Sequence, residues 1–162
     1  MKILVSGSLA FDKIMDFPGY FKDHILPDKI HKLNVSFVIK ALRENFGGTA
    51  GNIAYNLALL GERPIILASA GKDFGNYQKW LEKHNVDVSQ IKTIDEELTA
   101  FVYIMTDQDD NQISAFYPGA MKHFRGGIPE KLLTDTLAIV APGYGQDMVE
   151  YPRIYREQGV PF

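Results

Sequence analysis

The 162-residue chain carries a net charge of −3, from 17 Lys and Arg against 20 Asp and Glu, and is 46% hydrophobic and 23% charged. That balance excludes a disordered or collagen-like chain, and the mild acidity leaves no electrostatic footprint for nucleic acid. Cysteine is absent, which excludes disulfides, thiolate metal sites and cysteine nucleophiles, and no apolar run reaches the ~18 residues of a membrane span. The length suits one domain. Met1-Lys2 ahead of Ile3 to Phe11 has the outline of a short signal peptide. Gly7 interrupts the run, Asp12 and Lys13 end it, and no small-residue cleavage site follows, so a buried first strand and a cytoplasmic location are expected.

Lys2 to Ser8 (KILVSGS) reads as a central parallel strand, since its apolar run does not alternate. Residues 12 to 45 are mixed: Pro18-Gly19 and Leu26-Pro27 mark turns, and Lys32 to Ile39 alternates enough to predict an exposed strand. Phe46 to Gly51 (FGGTAG) leads into a helix over Asn52 to Leu60, stopped by Gly61. Pro64 to Ala70 predicts a second buried strand, Gly71 to Gly75 a turn, and Asn76 to His84 a helix with Tyr77, Trp80 and Leu81 on one side. Thr99 to Thr106 and Gln112 to Tyr117 predict a hairpin closed by Asp107 to Asn111. Pro129 opens a short helix, and Thr136 to Ala141 is a third buried strand. A last helix, with Pro152 in its first turn, runs to Gln158 and stops at Gly159, and Val160 to Phe162 read as the first residues of a further strand. Strand and helix alternation implies an α/β fold with a parallel sheet, while the alternating strands suit a smaller sheet with one open face. A chain stopping three residues into a strand is expected to be cut short, an edge strand or tail being the other reading.

Two constellations carry chemistry. Gly47-Gly48-Thr49-Ala50-Gly51-Asn52 opens a helix. Glycines admit positive φ and close backbone approach, the helix start offers N–H donors, and Asn52 in the first turn offers an amide to a hydroxyl. A glycine-rich helix entry with Asn52 as cap explains the same residues. Ser8 and Asp12 follow the first strand, where ligands of open α/β sheets bind, and a carboxylate there accepts two hydrogen bonds from a vicinal diol. A turn or cap Asp is the plainer reading. Phe116 either stacks on a flat ligand or packs the core or the lid. Gly143-Tyr144-Gly145 lacks the third glycine of a dinucleotide fingerprint, Met148 standing in its place. Asp107, Asp109, Asp110 and Asn111 begin like a calcium loop but lack its glycine, and Pro118 stands where its glutamate belongs. His24, His31, His84 and His123 have no metal-ligand spacing, so no metal site and no catalytic residue is assigned.

Together, Gly7-Ser8 with Asp12, the run Gly47 to Ala54 with Gly61 and Gly71 downstream, and Gly71-Lys72-Asp73-Phe74-Gly75 resemble the PfkB family of sugar and nucleoside kinases. Ser114 to Met121, Phe17-Pro18-Gly19 and Leu33 to Phe37 look most like the bacterial-type adenosine kinases within it. The resemblance implies a ribokinase-like three-layer αβα fold with a parallel central sheet and a small β lid, with lid segments at about 12–45 and 98–118. It implies Asp12 on sugar hydroxyls, Asn52 and the Gly47–Gly48 backbone beside it, Ser8 on the floor, Phe116 against base or sugar, and a contribution from Ser36. The reaction it implies moves the ATP γ-phosphate, with Mg2+ carried by the nucleotide, to a hydroxyl of a nucleoside (adenosine first) or sugar. The alternating strands at 32–39, 99–106 and 112–117 leave one face uncovered, with apolar residues such as Phe101, Tyr103 and Ile113, and a homodimer through the lid is expected from that pattern. The family's catalytic base and anion hole lie in a G-x-G-D signature, which these residues lack. The 162 residues are therefore expected to be an N-terminal part of such a kinase, truncated and inactive alone. A non-catalytic nucleoside- or sugar-binding module is the alternative, and a dinucleotide-binding domain a weaker one.

Overall fold

The computed structural model describes residues 1–123 and 125–162. The chain forms two compact units, one of Met1–Phe11, Phe46–Ala100 and Pro118–Phe162, the other of Asp12–Asn45 and Phe101–Tyr117.

The first unit is built on four parallel strands. β1 (Lys2–Ser6) pairs with β4 (Ile65–Gly71) on one side and β8 (Thr136–Val140) on the other, and β5 (Ile91–Ile94) extends the sheet beyond β4. Leu4 and Val5 are consecutive, so they face opposite sides of the sheet, and both are fully buried. Both faces are therefore covered, as the unalternating sequence implied. Leu4, Leu67 and Ala138 share one face with Tyr151 and Tyr155 of α3 (Gly145–Glu157) and with Val160. Each large apolar side chain buried there contributes about 1.5–3 kcal/mol. α1 (Thr49–Leu59) packs against β1 and β4, and α2 (Gly75–Lys83) buries Tyr77 and Leu81.

Two expectations for this unit change. Pro152 is the eighth residue of α3, not in its first turn. An interior proline costs a helix about 3 kcal/mol, but Tyr151 and Tyr155 on either side are fully buried, and their packing offsets that cost. β5, with Ile91 and Ile94 half-buried and Lys92 and Thr93 exposed, is a strand that the sequence left unmarked. The stop at Gly159 holds: it takes a φ of 67°, the Val160 N–H bonds to the Tyr155 carbonyl and the Gly159 N–H to the Arg156 carbonyl. The Pro161 carbonyl accepts the Ala138 N–H at 2.9 Å, one sheet-type bond beside β8. Pro129 precedes only a 3-10 turn, Glu130–Leu132.

The second unit holds a sheet in the order β3 (Ala41–Gly47), β2 (Ala10–Asp16), β6 (Ala100–Thr106), β7 (Gln112–Tyr117), of which β2, β3 and β6 have their first or last residues in the first unit. The hairpin is as expected, with Phe101 opposite Tyr117 and Thr106 opposite Gln112. The strand expected at Lys32 to Ile39 is not formed. That stretch is irregular, and the strand begins at Ala41. The apolar residues there serve a different purpose: Phe37 lies 4.9 Å from Phe17 and 5.2 Å from Phe21 between ring centroids, with His24 against the same cluster. This aromatic cluster, rather than a strand ladder, pins the segment.

Asp107, at the turn between β6 and β7, shows why the acidic cluster is no calcium loop. Its carboxylate accepts the N–H groups of Phe21, Asp109 and Asn111 at 2.9–3.0 Å and the Asn111 side-chain amide at 3.1 Å. Burial pushes its pKa up, but these donors outweigh that and hold it below the ordinary carboxylate value. A depressed folded-state pKa gives stability that is complete above the unfolded value, about 4, and is lost as pH falls through the folded one. Amide protection at Phe21 and Asn111, measured by hydrogen exchange against pH, is expected to drop below about pH 4. Asp107→Asn should lower it at neutral pH and abolish that acid step, and an unchanged profile would refute the role.

Candidate functional site

The carboxyl ends of β1 and β8 meet the start of α1 through one hydrogen-bonded knot. Gly48 is the N-cap of α1 but has no side chain to cap with, and Ser8 supplies what it lacks. The Ser8 Oγ accepts the Thr49 N–H at 3.0 Å, and the Ser8 carbonyl accepts the Ala50 N–H at 3.0 Å. The Thr49 Oγ1 accepts the Ser8 N–H at 3.0 Å and donates to the Pro142 carbonyl beyond β8. With that proton committed, the 3.2 Å contact between the two hydroxyls runs from Ser8 Oγ–H to Thr49 Oγ1. The expectation of open N–H donors at the helix start is thereby corrected: the first two are occupied by Ser8. Asn52 is not the cap. It is the fourth helical residue, exposed, with its N–H bonded to the Gly48 carbonyl at 3.0 Å.

Gly48 is required by space. It sits at φ 90°, and a Cβ there would lie 2.5 Å from the Ser8 carbonyl oxygen and 2.7 Å from the Ala10 nitrogen. The Gly47 carbonyl accepts the hydroxyl of Tyr77 at 3.0 Å, and a Cβ on Gly51 would overlap that same hydroxyl. Tyr77 stacks on Phe46, with ring centroids 4.4 Å apart and planes at 4°, and Phe11 tilts against both. The glycine run is thus clamped between Ser8 to Ala10 on one side and an aromatic wall on the other. Asp73, from the Gly71 to Gly75 motif, and Thr99, which no motif marked, do comparable work after β4. Asp73 Oδ1 accepts the Thr99 N–H at 2.7 Å, and Thr99 Oγ1 accepts the Gly71 N–H at 3.0 Å. The G-K-D-F-G segment owes its glycine and aspartate to this stitch.

Of the residues expected to bind substrate, the structure brings Ser8, Gly47, Gly48 and Asn52 together within the first unit. The other three lie in the second unit. Asp12 is the third residue of β2, not in a loop after β1, and its partial burial raises its carboxyl pKa. Ser36 is exposed in the irregular stretch before β3. Phe116, on edge strand β7, is 55% exposed, which rules out a core role. A second perturbed carboxyl, Asp147 in the first turn of α3, is pushed up to about 6 by burial, against the opposing pull of the Arg125 backbone N–H and charge. Among the described residues no three His, Asp or Glu side chains converge as a metal-binding group, and no helix is long and apolar enough to cross a membrane.

The architecture has close counterparts. The chain is 34% identical over 125 residues to a nucleoside kinase of Methanothermobacter thermautotrophicus, covering 76% of this chain and 37% of that protein. It is 33% identical over 140 residues to the nucleoside kinase of Methanocaldococcus jannaschii, covering 85% and 43%. The nucleoside kinase of Burkholderia thailandensis in complex with inosine superposes with a TM-score of 0.79 at 36% identity, over 99% of this chain and 51% of that one. The same protein in complex with ADP-inosine gives 0.73 at 38%, over 99% and 50%. The chain thus has the ribokinase-like α/β fold and spans about 37–51% of the length of these relatives. Residues 11–140, from the second residue of β2 to the last residue of β8, match the model of the pfkB family carbohydrate kinases, and to that family the chain belongs.

Proposed function

We propose that these residues are the substrate-binding part of an ATP-dependent kinase that phosphorylates a ribose hydroxyl of a purine nucleoside, adenosine first. The observation that carries the reading is the glycine-rich start of α1, clamped at the carboxyl ends of β1 and β8, where open α/β sheets bind ligands. The likeness to nucleoside kinases over nearly the whole chain supports the nucleoside over a free sugar. Adenosine rests on the Ser114 to Met121 run, and inosine, bound by the Burkholderia relative, is the nucleoside to set against it. In this reading the second unit is the small β lid, Asp12 accepts the sugar diol, the Gly47–Gly48 backbone and Asn52 bind hydroxyls, Ser8 holds the floor, Ser36 contributes from the lid, and Phe116 covers the base. ATP brings its own Mg2+. The general base and phosphoryl anion hole belong to a G-x-G-D segment, which the sequence given does not contain.

The test is ATP-dependent phosphorylation of adenosine, inosine, ribose and fructose by the full-length protein, with binding measured by calorimetry. A higher kcat/KM for the nucleosides supports the proposal. Preference for a free sugar would overturn the nucleoside and leave the family standing, and binding without turnover would favour a non-catalytic binding module. Phe116→Ala is expected to weaken adenosine about two- to tenfold, the size of one aromatic contact, and ribose hardly at all. Equal losses for both would mean that the ring only orders the lid.

Cytoplasmic location and a homodimer belong to the same reading. β7 is an edge strand of six exposed residues without charge or proline, and Ile113 and Phe116 stand out from it. Such an edge is a template for pairing with a second copy. Sedimentation of the full-length protein at micromolar concentration should find a dimer, and a monomer would refute it.

A further inference from the structure

We infer that Thr49 is the positioning residue of the nucleoside site, holding the Gly47–Gly48 backbone and Asn52 at a fixed distance from the ends of β1 and β8. The inference rests on the reading of those residues as nucleoside contacts. Thr49 carries the side chain that links α1 to both strand ends: its Oγ1 engages Ser8 after β1 and donates to the Pro142 carbonyl after β8, its N–H bonds the Ser8 Oγ, and it is itself the first residue of α1, while the Ser8 N–H joins the two strand ends directly through the Pro142 carbonyl. The hydroxyl bonds form a directed chain from Ser8 Oγ–H to Thr49 Oγ1 to the Pro142 carbonyl, while the Ser8 N–H is shared between Thr49 Oγ1 at 3.0 Å and the Pro142 carbonyl at 3.1 Å, so the two hydroxyls cannot swap roles without losing a partner. Threonine suits the position for a second reason. Its branched Cβ restricts χ1, which fixes the hydroxyl against rotation out of the chain. Gly48 cannot perform this task, having no side chain, and it needs the task done. At φ 90° and in contact with the backbone of Ser8 to Ala10, it keeps its conformation only while the knot holds the loop in place. A shift of about 1 Å in groups that orient a substrate can cost as much as a hundredfold in rate, so a lost tether should be read in binding and turnover before it is read in folding.

The experiment uses the full-length protein with Thr49→Val, Thr49→Ser and Asn52→Ala, measuring Kd for adenosine and inosine, the split of kcat and KM, and Tm. Thr49→Val keeps the shape and loses the hydroxyl. It is expected to raise Kd and KM about tenfold, the equivalent of about 1.4 kcal/mol, with a small change in Tm. Thr49→Ser, which keeps the hydroxyl, should restore both to within about twofold, a rescue that a purely structural methyl contact would not give. If Thr49→Val binds like the parent while Asn52→Ala is weakened, the inference fails and the nucleoside site stands. If Asn52→Ala also binds like the parent, the site reading itself fails and takes the inference with it. Should Thr49→Val not fold, Thr49→Ser decides alone: parental Kd supports a hydroxyl tether, and a tenfold loss overturns it.

Discussion

Gly48→Ala is expected to destabilise the first unit strongly. Two independent costs fall on one atom. A φ of 90° is a conformation that costs a residue with a Cβ about 1–3 kcal/mol, and the added carbon would sit 2.5–2.8 Å from backbone atoms of Ser8, Leu9 and Ala10. Backbone cannot rotate away as a side chain can, so overpacking adds about 1–3 kcal/mol more. The sum is a large share of the ~5–15 kcal/mol that holds a domain together. Thermal unfolding should show Tm falling by roughly 10 °C or more. Gly75→Ala is the matched control. Gly75 is the first residue of α2, has no positive φ and has open space around it, so alanine there should leave Tm unchanged or raise it slightly. Equal effects at the two positions would mean that the close approach at Gly48 is relieved by a loop movement, and the case for a rigid glycine entry would be lost.

The contrast between the two glycines also marks what a sequence can disclose. The buried strands β1, β4 and β8 were legible because both of their faces are covered, which leaves an apolar run without alternation, and the helices because each ends on a residue suited to positive φ: Gly61, Asn85 and Gly159. β3 (ALRENFG) was not legible. Four of its seven residues are exposed, so its sequence carries no hydrophobic period, and its side chains meet β2 through ion pairs, Arg43 with Asp16 at 2.9 Å and Glu44 with Lys13 at 3.5 Å. Lys32 to Ile39 misled for the converse reason: Phe37 is apolar because it joins Phe17, Phe21 and His24, and Val38 beside it is 83% exposed. A side chain recruited into a cluster leaves the same mark in the sequence as one that faces a sheet.

The candidate site divides similarly. The glycine run and Asn52 could be picked out because composition alone makes such a helix entry unusual. Ser8 stood out by its place after β1, but its work as a cap delivered from a distant segment could not be read, since no local spacing links residue 8 to residue 49. Thr49 left no signal beyond being a hydroxyl residue next to two glycines, Asp73 stood out only as part of the Gly71 to Gly75 motif, and its partner Thr99 left none at all. Long-range hydrogen bonds to backbone groups are where sequence reasoning has least purchase, because one partner has no side-chain identity.

Asp12→Asn is the substitution expected to affect ligand binding most. In the full-length protein it should weaken nucleoside affinity about 10- to 100-fold, because in the proposed site the carboxylate accepts two hydroxyl protons and the variant loses a charge-assisted acceptor worth about 1.5–3 kcal/mol while the side chain keeps its shape. Its environment adds two further signatures. Partial burial raises the Asp12 pKa above its ordinary value, so affinity should begin to fall with acidification at a higher pH than an exposed carboxylate would set, and the Asn variant should lack that acid limb. Stability should move the other way. A carboxyl whose pKa is raised on folding holds more protons folded than unfolded, so its contribution to stability declines as pH rises through that interval and is unfavourable at neutral pH. Asp12→Asn removes this cost and should leave Tm at pH 7 equal to the parent's or higher. A structural aspartate would behave differently: the variant would lose stability and affinity together. Calorimetric titration with adenosine and inosine, run beside thermal unfolding at pH 5 and pH 7, separates the two, and unchanged affinity in a folded variant would remove Asp12 from the site.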